Sequence, residues 1–210
     1  MGAQTALIFG SADCSGWSFL ASLRTCAPLV ICADGGLRCA LAAGFSPDCY
    51  IGDGDSGGVP VRGAENCVLM PEKDQTDLQA AYRLARAHGC DNVIFTGCTG
   101  GRQDHHIANL QLLETAHREG CKAEILDAEN SVTCISAGEH VLQRGTYHYF
   151  SLLPIDPVLQ GLTIEGAKYP LVQALVRRGD SLTVSNEWCA DAVRIHLEAG
   201  LAWLVCSTKK

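Results

Sequence analysis

The amino-acid sequence predicts an α/β protein in two parts, a three-layer domain on a parallel sheet followed by a small antiparallel β-sandwich. Three observations carry that expectation. Over the first 127 or so residues, short and nearly continuous apolar runs alternate with helical patterns, as expected for strands buried on both faces of a parallel sheet. From about residue 130 the rhythm changes to short segments that often alternate with period two, the habit of strands with one buried face. Gly138, Gly145, Gly161, Gly166, Gly179 and Gly200 punctuate these segments. No repeat or low-complexity linker divides the halves, and the domains are placed at residues 1–128 and 129–210.

Taken in order, the apolar runs of the first half are Ala6–Gly10, Leu29–Asp34, Cys49–Asp53, Cys67–Met70, Val93–Gly97 and Ala123–Asp127. Helices are predicted over 77–88 and 105–119. In the first, Leu78, Ala81, Tyr82 and Ala85 share one face and Gly89 follows as a C-terminal cap. In the second, Ile107, Leu110, Leu113 and Ala116 repeat the pattern before Gly120. The second half predicts strands at Ser131–Ser136, His140–Arg144, Tyr147–Pro154, Leu162–Gly166, Asp180–Ser185, Ala192–Glu198 and Leu201–Ser207.

Composition narrows the function. Hydrophobic residues make up 47% and charged residues 19%, a globular balance. A formal charge of −7, from 16 basic and 23 acidic side chains, repels phosphate backbones and argues against nucleic acid as a partner. A small anionic substrate would need local help from a cation, a glycine loop or a helix N-terminus. The 12 cysteines fall mostly inside apolar segments and form no CxxC pair, so no structural zinc site is expected. They read as reduced thiols serving as small hydrophobes in a cytoplasmic protein. The N-terminus lacks a basic start, the first basic residue being Arg24, and no run approaches the roughly 18 apolar residues of a membrane span. Neither a secretory signal nor a membrane anchor is expected.

The chemistry-bearing residues cluster where a parallel sheet places ligands, beyond the C-terminal ends of strands. The clusters are Asp34-Gly35-Gly36, Gly52-Asp53-Gly54-Asp55, Lys73-Asp74-Gln75-Thr76-Asp77 and the glycine-rich stretch from Gly97 to His106. Asp53 and Asp55 are spaced to share one ion in a bent loop, although a plain glycine turn would use the same residue types. A calcium loop is excluded, because Ala64 stands where its bidentate Glu would be. Mg2+ fits better, since it takes a few carboxylates and completes its shell with water and phosphate. Thr76 to Gln79 forms a capping-box pattern with Asp77 in the first helical turn. The bend before residue 105 can cradle phosphate on backbone N–H groups, with Arg102 as a cation and Asp104 as a possible N-cap. His105 and His106 diverge by about 100° on a helix and make no zinc pair. Ser185-Asn186-Glu187-Trp188 reads either as a turn before a core Trp or as a pocket wall for a flat heterocycle.

The pieces "ADGG", "GDGDS", "KDQTD", "GGRQDHHIAN", "KYPL" and "SNEW" occur in that order. With their spacing, they make the chain resemble the thiamine pyrophosphokinase family over nearly its whole length. The resemblance implies a Rossmann-like nucleotide-binding domain, then a thiamine-binding β-sandwich, in a homodimer with the thiamine site near its interface. It implies transfer of the β,γ-diphosphoryl group of ATP to the thiamine hydroxyl, with Mg2+, giving thiamine diphosphate and AMP. By the same resemblance Asp34, Asp53, Asp55, Asp77 and Asp104 are catalytic, and Asp53, Asp55 and Asp77 hold the metal. Lys73, Asp74, Gly100, Gly101, Arg102, His105 and Asn109 lie in the ATP motifs, and Ser185, Asn186 and Trp188 match the thiamine segment. The chain departs from the family at Gly54, where a bulky apolar residue is usual, and at Ala167, where Leu is common. The acidic loops by themselves fit a Mg2+-dependent nucleotide pyrophosphohydrolase, or a pyrophosphokinase for another alcohol, equally well.

Overall fold

The computed structural model describes residues 4–12, 16–52 and 74–208, and the backbone of 65–68. Asp53, Gly54, Asp55 and Lys73 lie outside the described residues. The chain divides into two compact units, Met1–Ala128 and Glu129–Lys210.

The apolar runs of the first unit become strands: β1 (Gln4–Phe9), β2 (Leu29–Ala33), β3 (Cys49–Gly52), β4 (Glu65–Val68), β5 (Cys90–Thr96) and β6 (Lys122–Leu126). They lie in the order β6-β5-β1-β2-β3-β4, and every neighbouring pair is parallel. Among the described residues three α-helices accompany them, α1 (Gly36–Ala42), α2 (Asp77–Ala87) and α3 (Gln103–Arg118), with a 3-10 helix at Ser18–Cys26. Alternation along the strands explains why the runs are apolar throughout. Leu7, Phe9, Val30, Cys32, Tyr50 and Ile94 pack with Leu20, Cys39 and Ala40 in one cluster. Their strand neighbours Ala6, Ile8, Ile31 and Phe95 are equally buried and face the other way. On that side Tyr82 of α2 meets Phe95 with ring centroids 6.3 Å apart.

The start of α2 follows its capping pattern: the Thr76 hydroxyl accepts from the Gln79 N–H at 3.2 Å, with Asp77 in the first turn. The predicted stripe of Leu78, Ala81, Tyr82 and Ala85 is buried. In α3 the stripe is shorter than expected, because Ile107 is 51% exposed while Leu112, Leu113 and Ala116 are buried. The 3-10 helix and α1 carry too few turns to show a period. Ten described cysteines are outside any disulfide, seven of them buried. Burial pushes the Cys32 thiol up to about 12, which keeps it protonated and unreactive.

From the middle of α2, the fully buried Tyr82 donates its hydroxyl to Oε2 of Glu119, the C-cap of α3, at 2.7 Å, while Arg83 pairs with Oε1 at 2.6 Å. Burial, and then the bond to Glu119, raises the Tyr82 pKa above its ordinary value. The Tyr82 hydroxyl, and then Arg83, holds the Glu119 carboxyl below its usual range. A raised tyrosine favours folding below the pH at which an unfolded tyrosine ionises, about 10, and that contribution is lost as pH climbs. A depressed glutamate favours folding above about 4.3 and loses its contribution as pH falls. Tyr82→Phe is therefore expected to cost about 1–1.5 kcal/mol at neutral pH. It should also flatten the stability loss above about pH 10. Denaturant unfolding across pH checks this, and a variant with the parental profile would contradict it.

The second unit is antiparallel: β7 (Asn130–Gln143), β8 (Tyr149–Pro154), β9 (Val158–Glu165), β10 (Leu171–Arg177), the two-residue β11 (Asn186–Glu187) and β12 (Ala192–Ser207). Four expected strands are in fact two. Ser131–Ser136 and His140–Arg144 fuse into β7, apart from the last residue, and Ala192–Glu198 and Leu201–Ser207 fuse into β12. Gly138 and Gly200, at φ 138° and 115°, mark bends within strands and not turns between them. At the β12 bend the register with β7 shifts, between Leu197 and Leu201. The strand also changes partner there: its first part pairs β9, and from Ala202 onward it pairs β8. One apolar cluster fills the unit, including Phe150, Leu152, Leu159, Leu162, Ile164, Trp188, Val193, Ile195 and Leu204.

Two further expectations are corrected. Asp180–Ser185 is not a strand. It turns, with Val184 N–H bonded to Ser181 O at 3.1 Å and Ser185 at φ 59°. The buried Thr183 anchors it by donating its hydroxyl to Leu152 O at 2.5 Å. Conversely, β10 went unpredicted because its exposed Val172 and Leu175 blur the alternation.

Candidate active site

The strand order sets the site. From β1 the chain winds outward through β2, β3 and β4, then returns to the other side of β1 to lay down β5 and β6. Loops leaving β1 and β5 therefore diverge, and a parallel sheet opens a ligand crevice at such a point, beyond the strand C-termini. A cleft of about 790 Å3 lies there, lined by Gly10, Ser11 and Ala12 after β1 and by Asp34 after β2. Asp74 to Gln79 at the start of α2, then Gly97, Cys98 and Gly100 to Arg102 with His105 and Asn109, complete its wall. Of the expected site residues, Asp34, Asp74, Asp77, Gly100, Gly101, Arg102, His105 and Asn109 thus meet in one cleft. Asp53, Asp55 and Lys73 lie outside the described residues. The sequence reading missed Gly10-Ser11-Ala12, although a glycine and a serine directly after a buried strand carry the same signal as the other clusters.

Asp34 stands out. Its φ of 47° is left-handed, a conformation that a side chain other than glycine adopts at a cost of about 1–2 kcal/mol. Its N–H is tied to Ile51 O at 2.6 Å. Its Oδ1 is buried and has no hydrogen-bond partner among the described residues. Backbone strain and an orphaned carboxylate oxygen on one residue at a cleft edge point to a functional role, since neither helps folding.

The glycine loop faces it. Gly100 and Gly101 are both left-handed, at φ 78° and 66°, and the loop runs straight into α3. Arg102 holds the N-cap position of α3 with no side-chain cap bond. Asp104 is thus not the N-cap but sits in the first turn, pairing with Arg102 at 2.6 Å and accepting from the His105 N–H at 2.9 Å. The Arg102 guanidinium holds the Asp104 carboxyl below its usual range, and Asp104 raises Arg102 in turn. Both are exposed, so this pair orients charge more than it adds stability. Asn109 reaches back to donate its amide to Cys98 O at 2.8 Å.

Among the described residues no three His, Cys, Asp or Glu side chains converge as a ready metal cluster. The carboxylates present are hard oxygen donors, and Asp34 carries a buried oxygen with no partner. That donor chemistry suits Mg2+ and not zinc.

In the second unit the three heterocycle candidates separate. Ser185 is exposed, and its N–H bonds to Ser151 Oγ at 2.9 Å. The Asn186 amide is engaged locally, accepting from Tyr169 N–H at 3.0 Å and Glu187 N–H at 2.9 Å and donating to Tyr169 O at 2.8 Å. Trp188 is 7% exposed, donates to Leu142 O at 3.2 Å, and meets Phe150 edge-on with centroids 4.9 Å apart. Among the described residues no helix is long and apolar enough to cross a membrane.

Comparison with known proteins agrees with this architecture. The thiamin pyrophosphokinase catalytic domain family matches residues 20–125, and the thiamin pyrophosphokinase vitamin B1 binding domain family matches residues 139–202. A thiamine pyrophosphokinase of Bacillus subtilis (strain 168) is 32% identical over 142 residues, 67% of this chain and 66% of that protein. Thiamine pyrophosphokinase 2 of Oryza sativa subsp. japonica is 25% identical, the match spanning 89% of this chain and 81% of that one. Crystal structures of thiamine pyrophosphokinases superimpose closely. The Bacillus subtilis one has a TM-score of 0.90 at 27% identity, covering 99% of this chain and 100% of that one. The Geobacillus thermodenitrificans one has a TM-score of 0.87 at 26% identity, covering 99% of each.

Proposed function

The chain belongs to the thiamin pyrophosphokinase family, and from that premise we infer that it transfers the β,γ-diphosphoryl group of ATP to the hydroxyl of thiamine, giving thiamine diphosphate and AMP. The observation that carries this reading is the cleft itself. A glycine loop leading into a helix N-terminus binds anions, yet here it shares a cleft with Asp34, Asp74 and Asp77. Phosphate-binding backbone beside carboxylates suits a polyphosphate that arrives with a cation. On this reading the first unit is a Rossmann-like ATP domain, and the second a β-sandwich that holds thiamine.

Asp53, Asp55 and Asp77 would hold Mg2+, which when bound neutralises phosphate charge that the acidic cleft would otherwise repel. Gly101 and the first turn of α3 offer N–H groups to phosphate oxygens. Arg102, kept charged by Asp104, faces the negative charge that grows on the departing AMP. Asp34 takes the proton of the thiamine hydroxyl as its oxygen attacks the β-phosphorus. The bond from that phosphorus to the oxygen bridging the α-phosphate breaks, and its electron pair leaves with AMP. Lys73, Asp74, His105 and Asn109 complete the ATP site. Ser185 offers thiamine its exposed hydroxyl, while Asn186 and Trp188 shape the wall behind it. Exposed Val141, Tyr169, Val172, Leu175, Leu182 and Val184 on the second unit support a homodimer with the thiamine site near its interface. The described cysteines, outside any disulfide, suit the reducing cytoplasm.

The test is incubation with ATP, Mg2+ and thiamine. Equal amounts of AMP and thiamine diphosphate are expected, with no AMP when thiamine is omitted. ADP with thiamine monophosphate, or AMP without thiamine, would overturn the reading. Chelation of Mg2+ should abolish turnover and leave the fold intact by circular dichroism.

A further inference from the structure

Four successive residues of the glycine loop, Gly97 to Gly100, are each tied to another residue of the first unit, two of them to α3. The Ala12 N–H donates to Gly97 O at 2.8 Å. Asn109 donates to Cys98 O at 2.8 Å, and the Thr99 hydroxyl donates to Asp127 Oδ2 at 2.9 Å. The fourth tie is the Gly100 N–H, which donates to His106 Nδ1 at 3.0 Å. His106 is half-buried on α3 and does not line the cleft, whereas its neighbour His105 does. It therefore stands behind the loop.

We propose that His106 is a positioning residue for nucleotide binding, its neutral imidazole holding Gly100 so that the loop is formed before ATP arrives. This rests on the reading of the cleft as an ATP site. Accepting a hydrogen bond at Nδ1 requires that atom to be unprotonated, so the ring proton sits on Nε2. The need for such a brace follows from the two glycines. Successive left-handed residues are open to glycine at little steric cost, but glycine also has more alternatives to lose than any other residue. Without the acceptor, Gly100 bonds to water and the loop spends only part of its time in the competent shape. Apparent affinity then falls in proportion to that fraction, while the rate after binding does not change.

The experiment compares His106→Leu with His106→Asn. Asparagine can present Oδ1 near the position of the histidine Nδ1, so it restores the acceptor; leucine fills much of the space without one. The leucine variant is expected to raise KM for ATP about five- to tenfold, the effect of one net hydrogen bond. Its kcat should stay within about twofold and KM for thiamine should not move, since the loop is the same once ATP is bound. The asparagine variant should return to within about twofold of the parent. Hydrogen exchange at the Gly100 amide, read by NMR, should speed up in the leucine variant only. A parental KM for ATP in His106→Leu, unchanged Gly100 exchange, or an asparagine variant as weak as leucine would each overturn the proposal. If His106→Leu does not fold, His106→Ser removes the reach of the acceptor without placing apolar surface at a half-exposed site. A parent protein that fails to bind a non-hydrolysable ATP analogue would sink the ATP reading instead, and the exchange measurement would still decide whether His106 braces the loop.

Discussion

An Asp34→Asn protein is expected to fold at least as well as the parent and to turn over about a hundred- to ten-thousandfold more slowly, the range for loss of a positioned general base. The two halves of that expectation have separate causes. Asparagine tolerates the left-handed backbone at φ 47° better than most residues. It also removes the charge from a carboxylate whose Oδ1 is buried without a partner. Folding therefore loses nothing and gains up to about 1 kcal/mol. On the proposed mechanism, the chemistry loses the group that accepts the thiamine proton. Steady-state kcat and the thermal midpoint, measured on one preparation, check both halves. A variant with parental kcat would remove Asp34 from the chemistry, and a large drop in midpoint would make its strain structural.

Gly36→Ala should be the most damaging small substitution in the first unit. A Cβ at Gly36 would lie 2.0 Å from Phe9 O, 2.7 Å from Phe9 C and 3.2 Å from Gly10 O. All three are backbone atoms, so no rotamer change relieves the clash. α1 would have to lift off the end of β1, opening the cluster built around Leu7, Phe9 and Cys39. The expected cost is about 3–5 kcal/mol, a large part of the 5–15 kcal/mol that holds a typical domain together. The denaturation midpoint measures it. Any alanine protein that remains folded should also turn over slowly, because Asp34 lies two residues upstream. An unchanged midpoint would show that α1 slides freely over β1.

Much of the first unit is written into the sequence in a form that physics can read. Strands buried on both faces must be apolar along their length, and 6–10, 29–33 and 93–95 are. The site was legible for a related reason: polar residues bunched directly after such runs have few other uses. What escaped reading depends on geometry with no local signature. β7 and β12 each looked like two strands, because a glycine that bends a strand and a glycine that ends one are the same letter. Asp180–Ser185 alternates like a strand, yet Thr183 is buried to anchor a turn. Asp104 sits two steps beyond the cap position once Arg102 takes it. His106 was set aside as a metal ligand, and its bond to Gly100 emerges only when a helix and a loop six residues apart are seen together.

The bend in β12 also bears on when the second unit can form. Its residues pair with β7, β8 and β9, so each of those strands lacks a neighbour until residues 192–207 have left the ribosome. Asn130 meets Ser207 across 77 positions, and loop closure over such separations slows folding. During synthesis the first unit can close early, whereas the second stays open with apolar strand faces waiting. Growing chains that carry a half-built thiamine domain are therefore the species most exposed to aggregation and most in need of chaperone cover.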